Sequence, residues 1–396
     1  MSGPTKIWQP RWLLAGLVLG LLLMAGLGRR ATQTDFHPNF TRFFPAISPE
    51  ANYYPTVREM SAIVRARCRP DQVLVIVGGN SVLHGVWQPA DVMWTRKLQV
   101  RLGDRYVVIN FAFRGAAPAN GGAVVAESLR TEFPRQIYIA NERAVTGISP
   151  VGMEAYLTIL WQAYFAGQLL DDPARDATVR DVLVNRYGWA KTAEIAGSVF
   201  IDRVLGFRDL WNRLAMERLN TVPSLYAPAP PGMFSPRKMF VDEERDGTLL
   251  TLDERYMLSA RAREMEILRL SSGLFYERTP DGGWRMSDAK RKELDGHYRD
   301  AFPVALHART MILVGRDSPF YRDQLTSDER ARDEQAIADT VGMLRARDYA
   351  AVDFGREFVY EDYGDRTHLA PPGGQKLADT VAPAVRALAE KLGYLQ

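Results

Sequence analysis

The stretch VLVIVGGNSVLHGVWQ occupies Val73–Gln88. Its first five residues, Val73–Val77, are apolar without a break, as in a strand covered on both faces. The run ends at Gly78-Gly79-Asn80-Ser81. The glycines allow a tight turn where a Cβ would clash. A serine after such a turn is either a cap or turn residue, or a hydroxyl held at the carboxyl end of a strand. Parallel α/β sheets place their sites at those ends.

Four more short apolar runs follow the same pattern: Tyr106–Ala112 (YVVINFA), Gln136–Ala140 (QIYIA), Thr310–Val314 (TMILV) and Tyr349–Asp353 (YAAVD). Amphipathic stretches lie around and between them. Trp94, Leu98 and Leu102 repeat every four residues; Leu377, Val381 and Val385 do the same, with Leu388 and Leu392 extending the stripe. Pro383 is expected to kink or divide that last helix. Ile337, Val341 and Leu344 share one face of a charged helix starting near Ser327, and a shorter helix is expected over Thr56–Arg67. Strand alternating with helix predicts an α/β layered fold on a five-stranded parallel sheet with right-handed crossovers.

Residues 172–300 break this rhythm. They hold two charged, tryptophan-bearing helical patterns, the Pro-rich Pro223–Pro236, and a charged helix around Leu252–Leu270. The reading is a mainly helical insertion between the third and fourth strands. Its aromatics Trp189, Phe200, Phe207 and Trp211 are expected in the core or between helices, with a minority lining an acyl or glycan groove. The organisation is thus 1–30 anchor, 31–70 stalk and packing segment, and 71–396 body.

The chain has 396 residues, enough for a large core, and its net charge of +3 comes without a dense basic tract. Nucleic acid is therefore not an expected partner. A single cysteine, Cys68, excludes an intrachain disulfide and a cysteine metal cluster, and reads as incidental. His37, His297 and His307 lack partners at metal-ligand spacing, so no metal is expected, and no dinucleotide fingerprint or P-loop is present. Residues Trp12–Gly28 (WLLAGLVLGLLLMAGLG) carry no charge and have Lys6 and Arg11 before them and Arg29 and Arg30 after. This is the short end of the roughly 17–25 residues that span a bilayer, and it overlaps a long signal-peptide core. The paired arginines favour an uncleaved anchor, with Trp8 and Trp12 at the interface. The body is then expected outside the cytoplasm, on the periplasmic face of a bacterial inner membrane.

A serine nucleophile needs a base within hydrogen-bond reach and a third group to orient that base. Asp365 and His368, in DRTHLAPPGGQKLA, sit three apart in a turn before the last helix. One imidazole nitrogen can face the carboxylate while the other faces out. Donors for an oxyanion are available as Ser81 N–H, Gly115 N–H and the Asn141 side-chain amide. Arg114, beside Gly115, is a candidate for an anionic substrate group, or else a surface arginine. His84 is read as pointing away from Ser81 or lining the pocket, and Glu142-Arg143 as solvated polar contacts.

In combination, IVGGNSVLHG, VVINFAFRGAAPANGG and DRTHLAPPGGQKLA resemble the blocks of the SGNH hydrolase superfamily, the GDSL-like lipases and esterases. The resemblance covers residues 71–170 and 305–396. Asn80 stands where the family usually has Asp, and IANERA departs from the family's Gly-x-Asn-Asp. The resemblance implies a three-layer α/β/α fold, flavodoxin-like in outline. It makes Ser81 the nucleophile, His368 the base and Asp365 its orienter, and puts Gly115 and Asn141 in the oxyanion hole, with no cofactor. The implied function is an anchored esterase or O-acyltransferase acting on acyl esters of a cell-envelope polysaccharide or glycolipid. Its partner would be a membrane-bound acyltransferase or a polysaccharide-export protein. The alternative is a non-catalytic scaffold with the same fold.

Overall fold

The computed structural model describes residues 10–33, 40, 42, 55–88, 91–145, 157–170, 172–212, 214 and 273–395. Trp8, His37, the Pro-rich Pro223–Pro236 and the helix expected over Leu252–Leu270 lie outside the described residues.

The strands are β1 (Val73–Val77), β2 (Tyr106–Asn110), β3 (Gln136–Arg143), β4 (Tyr276–Arg278), β5 (Trp284–Met286), β6 (Thr310–Gly315) and β7 (Ala350–Phe354). Five of them form a sheet in the order β2-β1-β3-β6-β7, every neighbouring pair parallel. Successive side chains leave opposite faces of this sheet. Val73, Val75 and Val77 join Leu313 against the helices Trp94–Leu102 and Pro371–Lys391. Leu74 and Ile76 join Ile312 and Val314 against the helices Val57–Arg67, Gly122–Ser128, Leu157–Phe165 and Ser327–Arg345. Burial on both faces is what makes each strand read as an unbroken apolar run.

The boundaries depart from the sequence reading in instructive ways. β2 ends at Asn110, whose Oδ1 accepts from Ala112 N at 3.0 Å and whose Nδ2 donates to Leu83 O at 3.1 Å, turning the chain out of the sheet. β3 runs three residues past its apolar stretch, because β6 pairs with it from Tyr138↔Thr310 to Arg143↔Gly315. Asn141, Glu142 and Arg143 are therefore strand residues and not a loop after the strand. The helix Pro371–Lys391 passes through Pro383 undivided. Proline costs a helix interior about 3 kcal/mol or more; here Leu377, Val381, Ala382 and Val385 are buried on both sides of it, and that packing carries the helix through.

The helix Val57–Arg67 starts at a capping box: Thr56 Oγ1 accepts from Glu59 N at 3.0 Å and Glu59 Oε2 from Thr56 N at 3.4 Å. The helix Pro10–Thr32 is long and apolar enough to cross a membrane, and its leucines are exposed. The described part of 172–300 includes the helices Pro173–Arg180, Gly188–Leu205 and Asp288–Asp300, but also the β4–β5 hairpin. The hairpin turns at Gly282 (φ +85°), and strands of three residues are too short to show alternation in sequence. The expectation for the insertion's aromatics is overturned, since Trp189, Phe200, Phe207 and Trp211 are exposed. The inward side of the 207–212 turns is taken by the polar Asp209 and Asn212, which bond to the helix Val57–Arg67.

Candidate active site

Gly79 takes φ +84°, a left-handed conformation that favours glycine. A Cβ on it would lie 2.5 Å from Asn141 Oδ1, and a Cβ on Gly78 would strike the Tyr138 hydroxyl. Conformation requires one glycine and close packing the other. Asn80 then caps the short helix Ser81–His84, its Oδ1 accepting from Val82 N at 3.0 Å. This leaves Ser81 half-buried at the first helical position, directly beyond the end of β1.

The imidazole comes from the other end of the chain. Tyr363 and Leu369 form an antiparallel bridge, and Gly364 N donates to His368 O at 2.8 Å, closing the segment between them into a tight loop. The loop is tied down from both sides. Ser318 N donates to Arg366 O at 2.8 Å, and Tyr363 Oη donates to Arg316 O at 3.1 Å. Ala370 N donates to Asp362 O at 2.9 Å, and a Cβ on Gly373 would strike that same carbonyl, which accounts for a glycine so early in the last helix.

Within this frame His368 Nε2 lies 2.7 Å from Ser81 Oγ, and His368 Nδ1 lies 2.6 Å from Asp365 Oδ2. Asp365 Oδ1 accepts from Thr367 N at 2.9 Å and His368 N at 2.8 Å. Burial pushes the Asp365 carboxyl up, but the adjacent His368, through charge and hydrogen bond, and the two backbone N–H groups outweigh it. They hold the carboxyl well below the usual carboxylate range. An ionised Asp365 only accepts, so Nδ1 carries the hydrogen and Nε2 turns its lone pair to the Ser81 hydroxyl.

Two residues of the opening stretch join the site unannounced. Trp87 Nε1 donates to Asp365 Oδ2 at 3.1 Å, from a backbone with φ +69°. Its indole packs so closely that a Cβ on Gly364 would meet it at 2.5 Å. Gln88 is fully buried, donates from Nε2 to Leu369 O at 3.1 Å and accepts from Trp94 N at 2.8 Å. It links the serine loop to the histidine loop. The only local signal was the backbone disturbance implied by Gly85 so near Trp87; the partners are far off in sequence.

The remaining candidates divide. Gly115 is exposed with φ +69°, on the loop after β2, and two residues earlier Phe113 N donates to Gly79 O at 3.1 Å. That bond draws the Gly115 loop toward the serine turn. Asn141 is buried; its Nδ2 donates to Asn80 Oδ1 at 2.9 Å and its Oδ1 accepts from Asn80 N at 3.1 Å. Arg114 is half-buried beside Gly115. His84 is fully buried, and the imidazole on Ser81 is that of His368. Glu142 is not solvated: it is buried, accepts from Arg143 N at 3.0 Å, and burial pushes its carboxyl up to about 8 against the opposing pull of Arg143. Its side chain leaves β3 on the face opposite Asn141, toward the protein interior, whereas Arg143 pairs with Asp317 at 3.3 Å. Cys68 is buried, and burial with Asp71 pushes its thiol up to about 11, away from thiolate chemistry. Among the described residues no group of three His, Cys, Asp or Glu is arranged to hold a metal ion.

A hydroxyl, an imidazole and a carboxylate in series can lower the barrier to nucleophilic attack at a carbonyl. No protein-family model and no curated protein matches the chain.

Proposed function

We propose that the chain is an SGNH-type serine esterase or O-acyltransferase. It is anchored by the helix Pro10–Thr32 and acts outside the cytoplasm on acyl esters of a cell-envelope polysaccharide or glycolipid. The observation that carries the reading is the continuous line from Ser81 Oγ through His368 (2.7 Å) to Asp365 (2.6 Å).

In this reaction Ser81 Oγ attacks the acyl carbon as its proton passes to His368 Nε2. The carbonyl electron pair moves onto oxygen, and that oxyanion accepts from Ser81 N–H and Gly115 N–H. The tetrahedral species collapses, the C–O bond to the alcohol breaks, and the leaving oxygen takes the proton from His368. The acyl-serine is then attacked by water, giving a carboxylic acid, or by a sugar hydroxyl, giving a new ester. His368 serves as base and acid again, and Ser81 regains its proton. Asp365 stays ionised throughout and stabilises the imidazolium. The second Asn141 N–H, not used on Asn80, is a third donor for the oxyanion.

One observation favours the scaffold reading. Asn141 and Asn80 satisfy each other through two hydrogen bonds, as in a site closed on itself. The two readings separate on covalent labelling. The full-length chain in membranes, treated with a fluorophosphonate, is expected to carry the adduct on Ser81, and Ser81→Ala to carry none. A wild-type chain left unlabelled would sink the enzyme and leave the scaffold.

A further inference from the structure

The helix Gly188–Leu205 packs Val199 into the core, yet it and the turns after it also expose large apolar side chains. A surface helix of a soluble body turns its apolar stripe inward and its polar side to water. Here Val199 does face the core, but in the turns that follow Asp209 and Asn212 are buried, at 1% and 2% exposure. Asp209 pairs with Arg58 at 2.5 Å and accepts from Thr56 Oγ1, and Asn212 Nδ2 donates to Glu59 Oε2 at 3.1 Å. Several large apolar side chains point away from the protein. Trp189, Phe200 and Val204 fall on one side of the helix, and Phe207, Trp211 and Leu214 follow at i, i+4 and i+7. All six are between 49% and 76% exposed. Large apolar side chains exposed together along one segment mark a contact with something other than water.

The N-terminal helix identifies that contact. Its exposed leucines require lipid if it spans a bilayer, and its last turns touch the helix Gly188–Leu205 directly. A Cβ on Gly28 would strike the Leu205 carbonyl, and one on Gly206 would lie 2.6 Å from Gly28 Cα. Backbone meets backbone there, two glycines making room. Gly28 stands beside Arg29 and Arg30, where the apolar run ends. The crossing therefore puts the C-terminal end of the helix Gly188–Leu205 at the level where the span leaves the hydrocarbon. The segment that carries the exposed apolar residues thus meets the anchor at this crossing, and Trp189 and Trp211 suit the headgroup layer.

We propose that the helix Gly188–Leu205, with 207–212 and Leu214, lies in the bilayer surface beside the spanning helix, its apolar face in lipid, as a second and monotopic membrane contact. The proposal rests on the N-terminal helix being a membrane span and is independent of the chemistry at Ser81. It holds the body at a set height and tilt, where a single flexible anchor would leave it free to swing.

Nitroxide labels on the full-length chain test it. Cys68 is buried with a weakly acidic thiol, so the reagent goes to introduced cysteines. The variants are Phe200→Cys, Val204→Cys and Trp211→Cys, with Lys191→Cys for the polar side and Leu19→Cys for the anchor. In phosphatidylethanolamine–phosphatidylglycerol vesicles, oxygen collisions are expected to exceed nickel-chelate collisions at 200, 204 and 211, as at 19, and to fall below them at 191. Nickel-accessible labels at 200, 204 and 211, with a lipid signal at 19, overturn the proposal and leave the anchor standing. Low collision rates with both reagents overturn it too, since protein then covers the face, from 215–272 or a second copy. A water signal at 19 removes the span itself, and the proposal with it.

Discussion

Trp87 reaches Asp365 from a left-handed backbone, a conformation a bulky residue rarely adopts. Such strain persists where surrounding contacts over-determine it. Trp87→Phe keeps an aromatic ring, smaller than the indole, and loses the N–H. A hydrogen bond to a charged group is worth about 1.5–3 kcal/mol, so kcat for an activated ester is expected to fall by roughly 10–100-fold with KM little changed. An unaltered kcat would show that the indole only packs. Asp365→Asn reverses the donor at His368 Nδ1 and fixes the wrong tautomer, for an expected loss on the order of 10⁴ in kcat with the fold retained. Burst labelling and thermal melting together check this. The three residues in line were readable because each lies in a short local pattern, a serine after paired glycines and Asp-x-x-His before a helix. Trp87 was not, because its partner lies 278 positions away and nothing local marks an indole as a donor.

At the scale of elements, the turn after β1 does the positioning. Gly79→Ala forces a side chain into φ +84° and against Asn141 Oδ1 at 2.5 Å. The expected cost is about 1–3 kcal/mol, seen as a lowered unfolding midpoint, together with loss of fluorophosphonate labelling as Ser81 moves off His368. Normal labelling in a destabilised variant would separate the turn's stability from its aim. β1 was legible to the residue, because both of its faces are buried and its run begins after the polar Asp71-Gln72 and ends at paired glycines. β3 was not, because its last three residues are polar and stay in the sheet only through pairing with β6. Pro383 misled for a related reason: a local penalty was visible, while the packing that overcomes it was spread over distant helices.

Over the whole molecule, stability is tied to pH through Glu142. Burial raises its folded-state value to about 8, while an unfolded glutamate titrates near 4.3. Between those values the folded chain holds a proton that the unfolded chain has released, so stability falls as pH rises, and the penalty is complete above about 8. Glu142→Gln removes this, and its melting temperature is expected to drop less than wild type between pH 5.5 and 8.5. Parallel slopes would place the titration elsewhere. Asp365 has the opposite sign. Its depressed value adds stability above the unfolded value of about 3.9, and that contribution is lost as pH falls further. The layered plan itself was legible from the alternation of runs. The outward aromatics were not, since a helical stripe shows which residues share a side but not whether protein or lipid meets it. Finally, Ser81 and the imidazole that faces it are 287 positions apart. A polypeptide still emerging from the ribosome can complete β1 to β3 and present the hydroxyl long before His368 has been synthesised. On the proposed mechanism, reactivity arrives only with the close of translation, and a chain interrupted anywhere upstream of that histidine is expected to be chemically silent, however well its first half has folded.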